Sequence, residues 1–127
     1  MENNKKCYYF KEYNYATGIF DSIVDCCIVL LMENNKEREK SIIKTINKYK
    51  LCTNTIIQYN KGFKKCNKKL YEQNSSYDIC DAYYNAFKFA DAQNYRNILI
   101  LEDDALFDHN ILNPKIIRDI ENLYKTT

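Results

Sequence analysis

Three consecutive carboxylates close a short apolar run in the last third of this sequence. Residues 97–104 read Asn-Ile-Leu-Ile-Leu-Glu-Asp-Asp, so Glu102, Asp103 and Asp104 directly follow four large aliphatic side chains. An unpaired carboxylate is too costly to bury, and the run therefore predicts a buried strand whose C-terminal tip emerges into a polar crevice. Carboxylates grouped there would suit Mg²⁺ or Mn²⁺ and a phosphate-bearing ligand held through the metal. A strand end with ordinary solvated acids is the alternative interpretation.

The scarcity of glycine excludes the common glycine-rich phosphate loops. Gly18 and Gly62 are the only glycines, whereas G-x-G-x-x-G and G-x-x-x-x-G-K-[ST] each need at least two glycines a few residues apart. The single histidine, His109, has no serine or cysteine nucleophile motif beside it, which argues against a triad hydrolase. His109 is interpreted as an exposed loop residue, with a role as metal ligand the less favoured alternative.

The elements that must position the acidic motif follow a strand and helix alternation. Apolar runs and helical spacing of isoleucine, alanine and aromatic residues alternate along the chain. The predicted elements are strands at 24–32, 54–59 and 97–102 and helices at 36–50, 77–93 and from Pro114 onward. This alternation predicts an α/β fold with a mostly parallel sheet and right-handed crossovers.

The length of 127 residues allows one domain with a real core. Residues 1–22 are Tyr-rich without a clean period, and we interpret them as an irregular or edge segment. Residues 23–127 are interpreted as the α/β domain that binds the ligand. The net charge of +2 is too small to indicate a nucleic-acid partner.

Six cysteines occur in a chain that starts without a signal-peptide pattern, which favours a reducing compartment and a cytoplasmic location. Cys26 and Cys27 lie inside an apolar run and are predicted to be small buried hydrophobic residues. The other four cysteines show no C-x-x-C spacing for zinc. The longest apolar stretch is about a third of the roughly 20 residues that span a bilayer, so no membrane anchor is expected.

A lysine-rich segment separates the second predicted strand from the long helix. Five of the nine residues from Lys61 to Lys69 are lysines. Such a segment could meet a diphosphate or a polyanion, but a solvated polar loop is the more common outcome.

The sequence Leu101-Glu102-Asp103-Asp104, placed after a long amphipathic helix, resembles the acidic motif of nucleotide-sugar glycosyltransferases of the GT-A fold. Within that fold it is nearest to glycosyltransferase family 25, the lipopolysaccharide and procollagen galactosyltransferase group. The resemblance implies a three-layer Rossmann-like domain and a nucleotide-diphospho-sugar donor, with a UDP-sugar favoured. It implies that Asp104, with Asp103, binds Mn²⁺ or Mg²⁺, and that Glu102 and Asp103 contact the ribose and support the metal site.

The earlier part of the chain matches the same family through an apolar strand, a polar turn and an arginine on the following helix. These are residues 29–31, Asn34 with Asn35, and Arg38. The resemblance implies that Asn34 and Arg38 lie near the base and ribose of the donor. For Arg38, an ordinary surface charge paired four residues along its helix is the alternative.

The resemblance implies metal-dependent glycosyl transfer, with this chain corresponding to the donor half of a GT-A enzyme. Such enzymes continue past the acidic motif to build the acceptor site, so the acceptor is unknown and no catalytic base is named. A homo-oligomer or a partner chain completing the acceptor site is one expectation. The alternatives are a non-catalytic nucleotide-binding or interaction module of the same fold, and a polyanion-binding protein that uses the lysines at 61–69.

Overall fold

The computed structural model of the chain describes residues 7–126. It contains one four-stranded mixed sheet and three α-helices, which confirms the α/β class. The elements are β1 (Tyr8–Asn14), β2 (Cys26–Met32), α1 (Lys36–Tyr49), β3 (Asn54–Asn60), α2 (Ser75–Ala92), β4 (Ile98–Glu102), a 3₁₀ turn (His109–Leu112) and α3 (Pro114–Thr126). Every strand and helix predicted from the sequence is present, with ends that differ by about two residues at most.

The strand order in the sheet is β1-β3-β2-β4. β2 pairs in parallel with both β3 and β4, whereas β1 pairs antiparallel with β3. Because β3 and β4 lie on opposite sides of β2, the chain changes side between them. The crevice beside the carboxyl end of β2 is therefore a topological switch point, where open α/β sheets bind their ligands.

Both faces of β2 are covered, which explains its continuous apolar sequence. Alternate residues of β2 belong to two separate core clusters. Cys27 and the residues two and four positions after it pack with Ile42 and Ile46 of α1. Cys26 and the residues two and four positions after it face the other side and pack against α2. The sheet thus lies between α1 and α2. Cys26 and Cys27 have no exposed surface, as predicted.

The buried face of α2 is narrower than the sequence pattern predicted. Ala82, Ala86 and Ala90 are buried at four-residue spacing, but Phe87, one of the aromatic residues whose helical spacing predicts this helix, is 54% exposed. Small side chains bring the helix close to the sheet, so a large ring beside them is displaced to the flank of the interface. Tyr83 is half-buried and reaches the end of β4.

Residues 8–14, within the segment interpreted as irregular or edge, form the edge strand β1 of the same sheet. Cys7, just before this strand, is joined to Cys66 by a disulfide with a Cα–Cα distance of 5.6 Å. Disulfides persist in oxidising compartments, so this bond argues against the expected reducing environment, and the cytoplasmic location stays a prediction. No helix within residues 7–126 is both long and apolar enough to cross a membrane.

Candidate functional site

A pocket of about 510 Å³ opens at the carboxyl ends of the three parallel strands. Its walls include Met32 and Asn34 after β2, Asn60 at the end of β3, and Glu102 and Asp103 at the end of β4. These strand ends are adjacent in the sheet. Met32 of β2 pairs with Asn60 of β3, and Glu102 of β4 pairs with the β2 residue two positions before Met32. The pocket therefore occupies the switch point defined by the strand order.

The opposite wall comes from the connection between β3 and α2. Lys61, Lys64 and Lys65 line the pocket from this connection, and Ser75 and Asp78 line it from the first turn of α2. The helix begins here because the side chain of the preceding asparagine caps it, accepting a hydrogen bond from the third backbone N–H. Three lysines of the predicted lysine-rich segment thus lie in the same pocket as part of the acidic motif.

The acidic motif does not point into the pocket as a single group. The Tyr83 hydroxyl donates to Glu102 Oε2 at 2.8 Å. Arg38 Nη1 lies 3.4 Å from Asp103 Oδ1 and 3.7 Å from Asp104 Oδ2. Within residues 7–126, the ion pairs of Arg38 are with these two aspartates and not with a residue of α1, and its role in donor binding stays a prediction.

Of the site residues predicted from the sequence, Asn34, Glu102 and Asp103 line the pocket. Arg38 reaches the same strand tip through its contacts to the two aspartates. Asp104 lies outside the pocket wall, with a side chain that is 66% exposed. The structure thus brings the predicted residues to one end of the sheet, and Asp104 is the member farthest from the enclosed volume.

Burial raises the pKa of Asp103 above its ordinary value, and the nearby Arg38 guanidinium opposes part of that rise. The carboxylate of Asp104 contributes a further, smaller increase. Two adjacent negative groups at a partly buried strand end thus share one cationic partner.

The fit of these residues to a divalent cation can be judged from their donors. Within residues 7–126, no group of three or more His, Cys, Asp or Glu side chains is placed to hold a metal ion. Asp103 and Asp104 both face Arg38, and Glu102 accepts the Tyr83 hydroxyl. His109 is exposed at the start of the 3₁₀ turn. In this arrangement a divalent cation at Asp103 and Asp104 would compete with the Arg38 guanidinium for the same two carboxylates, and the metal site stays a prediction.

A buried ion pair behind the lysine wall was not anticipated. Lys68 Nζ donates to Asp78 Oδ1 at 2.5 Å, to Asn60 Oδ1 at 2.7 Å and to the Tyr8 hydroxyl at 2.6 Å. The Lys68 side chain is only 3% exposed, so this residue of the lysine-rich segment is not a solvated loop charge. Asp78 precedes Ala82 by four residues on the buried face of α2, and an acid at that position signals a buried partner.

The same network extends to β1 through Tyr8. The Tyr8 hydroxyl donates to Asp81 Oδ2 at 2.6 Å while it accepts from Lys68. Burial raises the pKa of Tyr8 far above its ordinary value, and the hydrogen bond to Asp81 raises it further. Tyr8 is therefore a neutral hydroxyl that links β1, Lys68 and the first turns of α2.

Comparison of the chain with protein-family models, with curated proteins and with solved structures found no match. The functional inference consequently depends on the pocket, its charges and the resemblance of the acidic motif.

Proposed function

We propose that this domain binds a nucleotide-diphospho-sugar, with a UDP-sugar favoured, in the pocket at the carboxyl ends of β2, β3 and β4. In this proposal it is the donor-binding part of a glycosyltransferase of the GT-A type. The observation that carries the proposal is the 510 Å³ pocket at the switch point, with Glu102 and Asp103 in its wall. Ligands of doubly wound sheets bind at this position, and the volume lies in the range of small-molecule sites.

The predicted site residues supply chemistry suited to the nucleoside part of such a donor. Asn34 offers an amide donor and acceptor, and Glu102 offers a carboxylate that can accept hydrogen bonds from ribose hydroxyls. Tyr83 holds the Glu102 carboxylate by donating to one of its oxygens. Arg38 holds the aspartates of the same strand tip by its contacts to both.

The metal remains a separate part of the proposal. Mn²⁺ or Mg²⁺ at Asp103 and Asp104 would compete with the Arg38 guanidinium, which lies 3.4 Å from the Asp103 carboxylate and 3.7 Å from that of Asp104. Carboxylate oxygens are the ligands that such a hard cation prefers, so the two aspartates would be its candidate ligands. The experiment below therefore measures nucleotide binding with and without metal.

Isothermal calorimetry of the full chain with UDP, UDP-glucose and UDP-galactose tests the proposal, in one series with Mn²⁺ and in another with chelator. We expect saturable binding of one or more UDP-sugars and weaker binding by Glu102→Gln. Asp104→Asn reports on the metal, since an amide is a poorer ligand for a hard cation than a carboxylate. The matched control is Asp91→Asn, an exposed acid in the last turns of α2.

The proposal is overturned if neither UDP nor any UDP-sugar binds in either series. Binding that requires Mn²⁺ and is lost in Asp104→Asn would support the metal site predicted from the sequence. Binding without release of sugar or UDP, measured with candidate acceptors and with water, would favour the non-catalytic nucleotide-binding module.

A polyanion-binding role for the lysines at 61–69 is the other candidate. Lys61, Lys64 and Lys65 line a concave pocket, and Lys68 is buried in an ion pair. This distribution favours a small anion held in the pocket over a long polyanion lying across a surface.

A further inference from the structure

We propose that Lys61, Lys64 and Lys65 form the phosphate-binding side of the pocket and neutralise a bound diphosphate without a divalent cation. This inference builds on the proposed function, because it assigns the part of the same pocket that holds the diphosphate of the donor. The acidic motif then serves the opposite side of the pocket.

The pairing of charges around the pocket is the first argument. Three carboxylates line it, and two already have a cation: Asp78 pairs with Lys68 at 2.5 Å, and Asp103 lies 3.4 Å from Arg38. The third, Glu102, accepts from the neutral Tyr83 hydroxyl and has no cationic partner among the described residues. An anionic ligand therefore meets one carboxylate without a cationic partner.

The three lysines that line the pocket are not used in the ion pairs of the described part of the chain. Among residues 7–126, the ammonium groups of Lys61, Lys64 and Lys65 form no ion pair. The pocket wall thus presents three available positive charges against one negative charge without a cationic partner. That excess suits a ligand with several negative charges, and a diphosphate fits it better than a single carboxylate does.

The lysine-bearing turn is shaped by Gly62, whose φ is +87°. The backbone N–H groups of Lys65 and Cys66 both donate to the Gly62 carbonyl, at 3.1 and 3.0 Å. The Gly62 N–H donates to Asn60 Oδ1 at 2.8 Å. This positive φ favours glycine, whereas the nearest contact of an added Cβ atom, at 2.9 Å, would be the movable end of the Met32 side chain.

Two anchors fix the rest of the turn. The disulfide joins Cys66 to Cys7, which precedes β1. Lys68 is held from below by Asp78 and Asn60. A backbone that is fixed before the ligand binds loses less conformational entropy on binding. The ammonium groups that this turn carries can therefore bind an anion at a smaller entropic cost.

Calorimetry with inorganic pyrophosphate and with UDP, both in chelator, tests the assignment. The variant is Lys64→Gln/Lys65→Gln, and the matched control is Lys40→Gln/Lys44→Gln, which removes two exposed lysines from α1. We expect the parent and the control to bind both probes, and the Lys64/Lys65 variant to bind each at least about tenfold more weakly, because two charge-assisted contacts are lost. Binding by the parent should weaken as salt is raised.

Unfolding curves of both double variants verify that the fold is intact, which is expected because all four side chains are exposed. The inference is overturned if the Lys64/Lys65 variant binds like the parent, if the control loses as much affinity, or if pyrophosphate binds only with Mn²⁺ or not at all. Lysine-dependent pyrophosphate binding with no gain for UDP or UDP-sugars supports the inference and refutes the proposed function. UDP-sugar binding of equal affinity in the parent and in the Lys64/Lys65 variant supports the proposed function and refutes the inference.

Discussion

Removing the buried charge of Lys68 should destabilise the domain strongly. Its Nζ has three partners within 2.7 Å, and its side chain is 3% exposed. Lys68→Met keeps an unbranched chain of similar length but leaves the Asp78 carboxylate, 6% exposed, without its cation. Breaking a buried pair from one side costs about 3–5 kcal/mol, and we expect a loss of that size in the free energy of unfolding.

The size of the expected shift in melting temperature follows from the length of the chain. Unfolding entropies of about 2.1 cal/mol/K per residue give roughly 0.27 kcal/mol/K for 127 residues. A loss of about 3–5 kcal/mol then lowers the melting temperature by roughly 10–20 °C. Thermal and urea unfolding followed by circular dichroism measure both quantities, with the urea midpoint compared at constant slope.

Three further variants, Lys69→Met, Asp78→Asn and the double variant Lys68→Met/Asp78→Asn, separate the ion pair from the loss of packing. Lys69→Met alters the exposed neighbour and should change the free energy of unfolding by less than about 0.5 kcal/mol. Lys68→Met/Asp78→Asn removes both charges and should be less destabilised than the sum of the two single variants. If Lys68→Met costs less than about 1 kcal/mol, or if the two substitutions are additive, the reasoning about a buried pair is refuted.

The disulfide and an acid near β3 give two more expected outcomes. Cys66→Ser removes the bond to Cys7, which spans 59 residues, and should lower the free energy of unfolding by roughly 2–4 kcal/mol in denaturant. Cys80→Ser, at an exposed free thiol, should leave that free energy unchanged. Burial alone would raise the pKa of Asp21, but hydrogen bonds, first those from Thr53, outweigh it and lower the pKa. A depressed pKa stabilises the folded state above the unfolded pKa and loses that contribution as pH falls, so the melting-temperature advantage over Asp21→Asn should shrink below about pH 4. An advantage that is constant down to about pH 2 would contradict this assignment.

The central strands and the helices were predictable because their signals are local. β2 is apolar along its whole length, and helix α1 has buried isoleucines at helical spacing. β1 lacks such a signal: only its first residue is buried, and five of the next six are exposed. Its place in the sheet depends on pairing with β3, about fifty residues away, and on the disulfide, neither of which a local pattern encodes.

The packing of β4 also depends on neighbours that the sequence does not reveal. Leu99 and Leu101 were expected to lie in the core, but both are half-buried. Among the strands of residues 7–126, β4 pairs with β2 alone and lies at the edge of the sheet. The apolar run therefore predicted the strand correctly and overestimated its burial, since the order of strands is a tertiary property.

At the acidic motif, the strand end was predictable from the sequence, but the residues that contact its carboxylates were not. Arg38 is 65 residues from Asp103, and its position over both aspartates follows only from the pairing of β2 with β4. The residue types predicted a metal site, and the structure places the Arg38 guanidinium beside two of these acids. The same acids can therefore be interpreted as a metal site or as the partners of Arg38. Nucleotide binding measured with and without metal, in the parent and in Asp104→Asn, distinguishes the two.

The lysine-rich segment divides into residues with different roles, although its composition is uniform. Lys68 is buried against Asp78, whereas Lys64 and Lys65 are exposed at the pocket wall. The clue was in α2, because an aspartate on the alanine face needs a buried cation. Lys68 is that buried cation. Because Lys64 and Lys65 precede it by only a few residues and follow the Gly62 turn, they lie at the carboxyl ends of the parallel strands. A buried ion pair thus positions exposed charges of the same sign, and its loss in Lys68→Met should weaken pyrophosphate binding even where the variant remains folded.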